Sequence, residues 1–281
     1  MKLIYLLFSL VNGYNLNIPV NVYKSNYNSQ IIKVYEPKNL EKKNMNALIF
    51  YTGANSLIPG DIYSNFIRTL NNYNFSVSVV TNNNDATSEF LYDVRDEYKE
   101  IIPLTHSSGY VNAIQTIQKQ KNIKKAIFLD PVDNSVLFDN NFFNNNDKTS
   151  IKYLESILIL NAEKSYEGSI FPKLKMPFIP AFALNIKNLK KNNPDLEVEK
   201  LDAKNYGHSD VLDTLWSDLM HVTLSKGNDN RDQEVLNEYL NWLAEEITNF
   251  IHKNEENNVE EINNSIMLYD NVGVLTSDNE D

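Results

Sequence analysis

The chain has 281 residues, 42% of them hydrophobic and 22% charged, which predicts one globular domain with a sizeable core. Its formal net charge of -11 would repel a phosphate backbone, so nucleic acid is not an expected partner. The absence of cysteine excludes disulfides, a thiolate nucleophile and cysteine-bound metal centres.

Residues 1–14 begin with Met1 and Lys2 and continue with an apolar run that ends near Gly13. This is the layout of a secretory signal peptide, and an apolar leader or a first strand packed on the domain is the alternative. The run is shorter than the roughly 18 to 20 residues that span a membrane, and no later run is longer, so we expect no integral membrane segment. The apolar start favours a secreted or endomembrane location and leaves plastid and cytoplasm open.

Residues 15–253 alternate short apolar runs with longer helix-like stretches, which is typical of a mostly parallel central sheet with helices on both faces. In chain order, the predicted strands are Ile31–Tyr35, Ala47–Tyr51, Ser76–Val80, Ile101–Leu104, Lys125–Leu129, Ser156–Leu160 and Val198–Leu201. The predicted helices are Tyr63–Leu70, Val111–Gln120 and Glu234–Ile251. Asparagine-rich residues 140–146 indicate a loop. Residues 254–281 hold eight acidic residues and no lysine or arginine, which predicts an acidic, disordered tail.

Ser107 lies between a predicted strand and a predicted helix, in the segment Thr105-His106-Ser107-Ser108-Gly109. A nucleophilic serine on such a turn needs small neighbours, as in the pattern G-x-S-x-G, and the match here is partial because Thr105 replaces the first glycine. A serine-rich turn that caps a helix is the alternative. With a histidine before the last helix, the order of elements is that of the α/β-hydrolase fold, so we expect this fold.

A nucleophilic Ser107 needs a general base and an acid that orients it. His208 follows a glycine after the last predicted strand, where this fold places its catalytic histidine, and we predict it as the base. Asp130 ends a buried strand at the carboxyl edge of the sheet and is the favoured acid. Asp133, three residues later, and Glu163, after the next strand, are the alternatives.

The oxyanion hole should combine two backbone N–H groups. One belongs to Ser108, the residue after the predicted nucleophile, and the other belongs to the loop after the third strand. Gly53 lets that loop approach closely, so we expect Ala54 to supply the second donor; an ordinary glycine turn is the alternative. We expect no metal and no organic cofactor, because this chemistry requires neither.

Residues 203–213 contain the sequence Y-G-H-x-D-x-L-D, which is similar in full to the segment around the catalytic histidine of chlorophyllases. Weaker likenesses to the same family occur at Asp130-Pro131-Val132, at His106-Ser107-x-Gly109 and at Ser225-Lys226-Gly227 with Arg231. The resemblance extends from about Ile31 to Ile251 and is thin between these segments. A more distant similarity, in the spacing of Ser107 and Asp130, is to platelet-activating-factor acetylhydrolases.

The resemblance implies an esterase with Ser107, Asp130 and His208 as its triad, acting on an ester with a long apolar part; in the family this ester is chlorophyll. The family elbow reads G-H-S-R-G-G, and Thr105, Ser108 and Tyr110 depart from it. The alternatives are a general lipid esterase or carboxylesterase and a non-catalytic protein of this fold that binds a hydrophobic ligand. The sequence does not predict the oligomeric state.

Overall fold

A computed structural model describes residues 20–25, 30–38, 40–80, 82–132, 151–166, 190, 193–223 and 227–272. Its strands are β1 (Val20–Lys24), β2 (Ile31–Tyr35), β3 (Asn46–Tyr51), β4 (Ser76–Val80), β5 (Glu100–His106), β6 (Lys125–Leu129), β7 (Ser156–Ala162) and β8 (Glu197–Ala203). Its helices are α1 (Ser64–Asn72), α2 (Asn84–Val94), α3 (Gly109–Lys119), α4 (Thr214–Thr223) and α5 (Gln233–Val272). Short 3-10 turns lie at Lys42–Asn44, Gly60–Tyr63 and Glu163–Tyr166.

The strands form an 8-stranded sheet in the order β1-β2-β4-β3-β5-β6-β7-β8. Strands β1 and β2 pair antiparallel, with each other and with β4, whereas β3 to β8 pair parallel. The mostly parallel sheet predicted from the sequence is therefore confirmed. In such a sheet the carboxyl ends of β3, β5, β6, β7 and β8 meet at one edge, which brings the loops after these strands together.

Helices cover both faces of the sheet because side chains alternate along the buried strands. Leu48 and Phe50 of β3 join a core formed with α1 and the first part of α5. Ile49 and Tyr51, their neighbours in β3, join a second core formed with α2 and α3. A strand that is buried on both faces reads as a continuous apolar run, and this is why β3 could be predicted from composition alone.

The predicted strands and helices are all present, with bounds that differ by a few residues, but three elements were not predicted. Strand β1 is a short strand at the edge of the sheet. Helix α2 is weakly patterned and begins at an Asn83 cap, whose side chain accepts hydrogen bonds from the N–H groups of Asp85 and Ala86. Helix α4 follows the loop that contains His208. Tertiary packing rather than local pattern forms these three elements.

The closing helix α5 continues past residue 253, where we predicted the acidic tail to begin, and ends at Val272. The domain division at residue 253 stays a prediction. Residues 1–14 and the loop predicted at 140–146 lie outside the described residues. Within the part of the chain that the structure describes, no helix combines the length and the apolar character that a membrane span requires.

Candidate active site

Ser107 stands on a sharp turn between β5 and α3. Its φ is 56°, in the left-handed region that residues with a side chain rarely adopt. The Ser107 N–H donates to the Leu129 carbonyl at 3.0 Å, and the Ser107 carbonyl accepts from the Val132 N–H at 3.1 Å. The side chain is half-buried. This is the strand-turn-helix placement that we expected; the nucleophilic role of Ser107 stays a prediction.

Thr105 and Gly109, at the two ends of the segment around Ser107, differ in how much space there is for a side chain. An ideal Cβ on Gly109 would lie 2.2 Å from the Tyr51 carbonyl oxygen and 2.5 Å from that of Thr52, so only glycine fits there. Thr105, in contrast, is accommodated in β5 and is fully buried. Its hydroxyl has no hydrogen-bond partner in the described part of the chain. The departure from the glycine pattern therefore leaves a buried hydroxyl unpaired, which is unfavourable, but does not block the turn.

Asp130 and His208 come together at the carboxyl edge of the sheet. The distance from His208 Nδ1 to Asp130 Oδ2 is 3.3 Å, and the Asp130 side chain is 5% exposed against 16% for His208. The Asp130 carboxylate also accepts hydrogen bonds from the Ala162 N–H, at 2.8 Å, and from the Ser165 hydroxyl. These contacts hold the carboxylate in place, where it can accept the Nδ1–H of His208 and leave Nε2 free to accept a proton.

The two alternative acids do not share this position. Glu163 is exposed on the 3-10 turn after β7, and its carboxylate accepts from the Asn205 N–H at 3.4 Å. In the described part of the chain it forms no hydrogen bond or ion pair with His208. Asp133 lies outside the described residues. Of the predicted acids that the structure describes, Asp130 is the one in contact with the predicted base.

An ion pair between Asp210 and Arg231 holds the loop that contains His208. The Asp210 carboxylate is completely buried and accepts from the Gly207 N–H at 2.9 Å, from the Asn228 N–H at 2.7 Å and from the Arg231 guanidinium. A Cβ on Gly227 would lie 2.5 Å from Asp210 Oδ1. The backbone at residue 227 can therefore come this close to the carboxylate only with glycine at that position. The pair fixes the backbone immediately before His208.

His106, the residue before Ser107, is part of a chain of hydrogen bonds that runs from the loop after β3 to the loop that contains His208. The Gly53 N–H donates to the Tyr63 hydroxyl at 3.1 Å, and this hydroxyl lies 2.8 Å from His106 Nδ1. His106 Nε2 lies 3.0 Å from the His208 carbonyl oxygen, which can only accept, so Nε2 carries the proton. The two imidazole rings are 4.6 Å apart.

His106 is a neutral member of this network. Burial, reinforced by the neighbouring His208, holds the pKa of His106 well below its ordinary value. Burial likewise raises the pKa of Tyr63, which keeps its hydroxyl protonated and able to donate to Nδ1. The network therefore adds no positive charge beside His208.

The predicted oxyanion donors are unpaired. Within the described residues, neither the Ala54 N–H nor the Ser108 N–H has a hydrogen-bond partner. Their neighbours are paired: the Gly53 N–H donates to Tyr63, and the Asn55 N–H donates to the Ser108 hydroxyl at 3.0 Å. Two backbone donors thus stay available beside the elbow, as an oxyanion hole requires.

The Ser107 hydroxyl makes no hydrogen bond to His208 in the described part of the chain. Such bonds are often long before a substrate binds and shorten in the complex. Among the described residues, no group of three His, Asp or Glu side chains has the arrangement of a metal site. The expectation that the site needs no metal stays a prediction.

Sequence reasoning missed three contributors to this site. Ser165 and Tyr63 act through contacts between distant segments, which no local pattern reveals. Asn112 is one turn beyond Ser108 on α3 and contacts the loop after β3. A weak indication was available for Asn112, because it is a polar residue among buried apolar neighbours on α3.

Comparison with solved structures shows likeness to several esterases at low sequence identity. An esterase from Pyrobaculum calidifontis matches with a TM-score of 0.54 and 11% identity, over 89% of this chain and 91% of the other. A thermostable carboxylesterase cloned from a metagenomic library matches with a TM-score of 0.53 and 13% identity, over 88% and 93% of the two chains. A Rhizomucor miehei esterase gives a TM-score of 0.52 and 13% identity, over 85% and 87%.

Neither a protein-family model nor a curated protein sequence matches this chain. The likeness to solved structures, together with the strand order, shows that the chain has the α/β-hydrolase fold. The fold prediction is confirmed. Because a fold hosts many activities, the function has to be argued from the site.

Proposed function

We propose that the chain is a serine carboxylic-ester hydrolase. The observation that carries the proposal is the contact of His208 Nδ1 with the buried Asp130 carboxylate, at the sheet edge where Ser107 occupies a left-handed turn. The backbone N–H groups of Ala54 and Ser108, which have no hydrogen-bond partner within the described part of the chain, accompany it. These parts are what acyl transfer needs: a nucleophile, an oriented base and an anion-stabilising pair.

In the proposed reaction the Ser107 hydroxyl oxygen attacks the ester carbonyl carbon while His208 Nε2 takes its proton. The oxyanion that forms is stabilised by the Ala54 and Ser108 N–H groups. The tetrahedral intermediate then collapses, the bond to the alcohol oxygen breaks, and His208 returns the proton to the leaving alcohol. Water, activated by His208 in the same way, hydrolyses the acyl-enzyme and releases the acid. Asp130 stabilises the imidazolium form of His208 throughout.

We propose a general class of substrate, carboxylic esters, and within it one specific substrate. The names of the matched structures, esterase and carboxylesterase, support a carboxylic ester in general. The resemblance of residues 203–213 to chlorophyllases supports an ester with a long apolar alcohol, chlorophyll being the specific proposal. The complete match around His208 concerns the base and its support rather than the substrate pocket, so the general level is the better supported of the two.

The test is hydrolysis of p-nitrophenyl butyrate by the purified protein, beside Ser107→Ala and His208→Ala, with chlorophyll a as second substrate. We expect each variant to lose at least about 10³-fold in kcat/KM, because members of a triad act as a unit. Formation of chlorophyllide would support chlorophyll as the substrate. Hydrolysis of the short ester alone would support a general carboxylesterase and reject chlorophyll.

A non-catalytic protein that binds a hydrophobic ligand is the second candidate. The observations that favour it are the absence of a Ser107–His208 hydrogen bond among the described residues and the buried, unpaired Thr105 hydroxyl in the elbow strand. A folded wild type that hydrolyses neither ester, and binds an apolar ester without turnover, would establish this candidate and reject the hydrolase.

A further inference from the structure

The loop that supplies the Ala54 N–H has an unusual backbone. Ala54, Asn55 and Ser56 have φ values of 51°, 56° and 61°, so three consecutive residues with a side chain occupy the left-handed region. Single residues visit this region, asparagine most readily, but a run of three is disfavoured by contacts of each Cβ with the backbone. The surrounding structure must therefore hold this turn, Gly53–Ser56, in place.

Two side chains of α3 and its cap hold the middle of the turn. Asn112 Nδ2 donates to the Asn55 carbonyl at 2.7 Å and to the Ser56 hydroxyl at 3.3 Å. The Ser108 hydroxyl accepts from the Asn55 N–H at 3.0 Å. Asn112 and Ser108 are four residues apart, so they lie on the same side of α3, and they are 8% and 4% exposed. The N–H and the carbonyl of Asn55 are thus both hydrogen-bonded to side chains of α3 and its cap.

We propose that Asn112 is a positioning residue for the oxyanion hole. Its amide keeps Asn55 and Ser56 in the left-handed conformation, and this conformation determines where the adjacent Ala54 N–H points relative to Ser107. Without the amide donor, the turn loses the hydrogen bonds from Asn112 to the Asn55 carbonyl and the Ser56 hydroxyl and relaxes towards right-handed backbone angles, which moves the Ala54 N–H. Asn112 contacts the turn, not the substrate, and the proposal rests on the function proposed above.

The first test compares Asn112→Ala with wild type on p-nitrophenyl butyrate. Loss of one oxyanion donor costs about 10² to 10³ in kcat in hydrolases, and a displaced donor should cost about 10- to 100-fold. KM should change less than about 2-fold, because the oxyanion forms only in the transition state. The matched control is Asn71→Ala, since Asn71 is also buried and donates to two backbone carbonyls, of Tyr35 and Phe75. It should lose stability but keep wild-type kcat.

The second variant separates positioning from general stability. Glycine adopts left-handed angles without Cβ contacts, so Asn55→Gly in the Asn112→Ala background should regain at least about 5-fold in kcat. A stability defect alone would give no such rescue. Wild-type kcat in Asn112→Ala, or an equal loss in Asn71→Ala, would overturn the proposal.

Hydrogen exchange of the peptide that covers residues 52–58 provides a readout that does not depend on activity. It should be faster in Asn112→Ala than in wild type and Asn71→Ala, and unchanged exchange would overturn the proposal even if no ester were hydrolysed. An inactive wild type in the same assay would instead reject the proposed function.

Discussion

Asp130→Asn is expected to lower kcat on p-nitrophenyl butyrate about 10⁴-fold, the loss that this change produces when it reverses the histidine tautomer in a serine triad. The new amide can still accept from the Ala162 N–H through Oδ1. Its NH₂ group then faces His208 Nδ1 and the Ser165 hydroxyl, where the carboxylate accepted hydrogen bonds. Nδ1 would have to accept instead of donate, which places the proton on Nε2 and prevents it from taking the Ser107 proton.

The matched control for this prediction is Glu163→Gln, a change of the same kind at the rival acid. Because Glu163 is exposed and, among the described residues, its carboxylate accepts a hydrogen bond from the Asn205 N–H alone, its variant should keep kcat within about 2-fold of wild type. Thermal unfolding of both variants shows whether each is folded at the assay temperature. If Asp130→Asn kept a tenth of the activity, or Glu163→Gln lost as much as Asp130→Asn, the assignment of Asp130 would be wrong.

Gly109→Ala is expected to destabilise the protein by about 3 kcal/mol or more, the upper end of what overpacking produces. The new Cβ would lie 2.2 Å and 2.5 Å from the carbonyl oxygens of Tyr51 and Thr52. These are backbone atoms of a buried strand end, which cannot rotate away as a side chain can. Helix propensity alone predicts the opposite sign, because alanine is the better residue at the start of α3.

Urea denaturation measures this change as a shift of the unfolding midpoint. The matched control is Gly53→Ala, whose Cβ would meet side-chain atoms of Ile58 and Tyr63 at 3.1 Å and 3.2 Å, distances that small shifts can relieve. Its destabilisation should be clearly smaller than that of Gly109→Ala. A Gly109→Ala variant as stable as wild type would mean that β3 and α3 are not in the close contact described.

The sequence predicted the sheet better than its edges, for a physical reason. Strands such as Lys125–Leu129 and Ser156–Ala162 are buried on both faces and are read directly as apolar runs. Strand Val20–Lys24 is an edge strand with an exposed Val22, and it is held by pairing with β2 rather than by its own composition. The extent of the closing helix to Val272 was also missed, because an acidic composition suits a disordered tail and an exposed helix alike.

Within the site, residues at strand ends were predictable and their supports were not. Asp130 could be named because it follows a buried strand, and His208 because it comes after the last strand of the sheet, at the same sheet edge. The sequence favoured Asp130 over Glu163 because Asp130 ends a buried strand at the carboxyl edge of the sheet. It did not predict the left-handed φ of 41° at Asp130 or the 3.3 Å contact of its carboxylate with His208 Nδ1. The Tyr63 and Asn112 contacts join segments 43 and 57 residues apart, which sequence spacing does not encode.

Reaction of the protein with a fluorophosphonate, followed by mass spectrometry of the intact chain and of its peptides, tests the central claim most directly. The reagent labels a serine whose hydroxyl is activated by a base and whose adduct is held by oxyanion donors. We expect one adduct, on Ser107, that is absent from Ser107→Ala and from unfolded wild type and much slower to form in His208→Ala. A folded wild type that stays unlabelled, or that is labelled on another serine, would contradict the assignment of Ser107 as nucleophile.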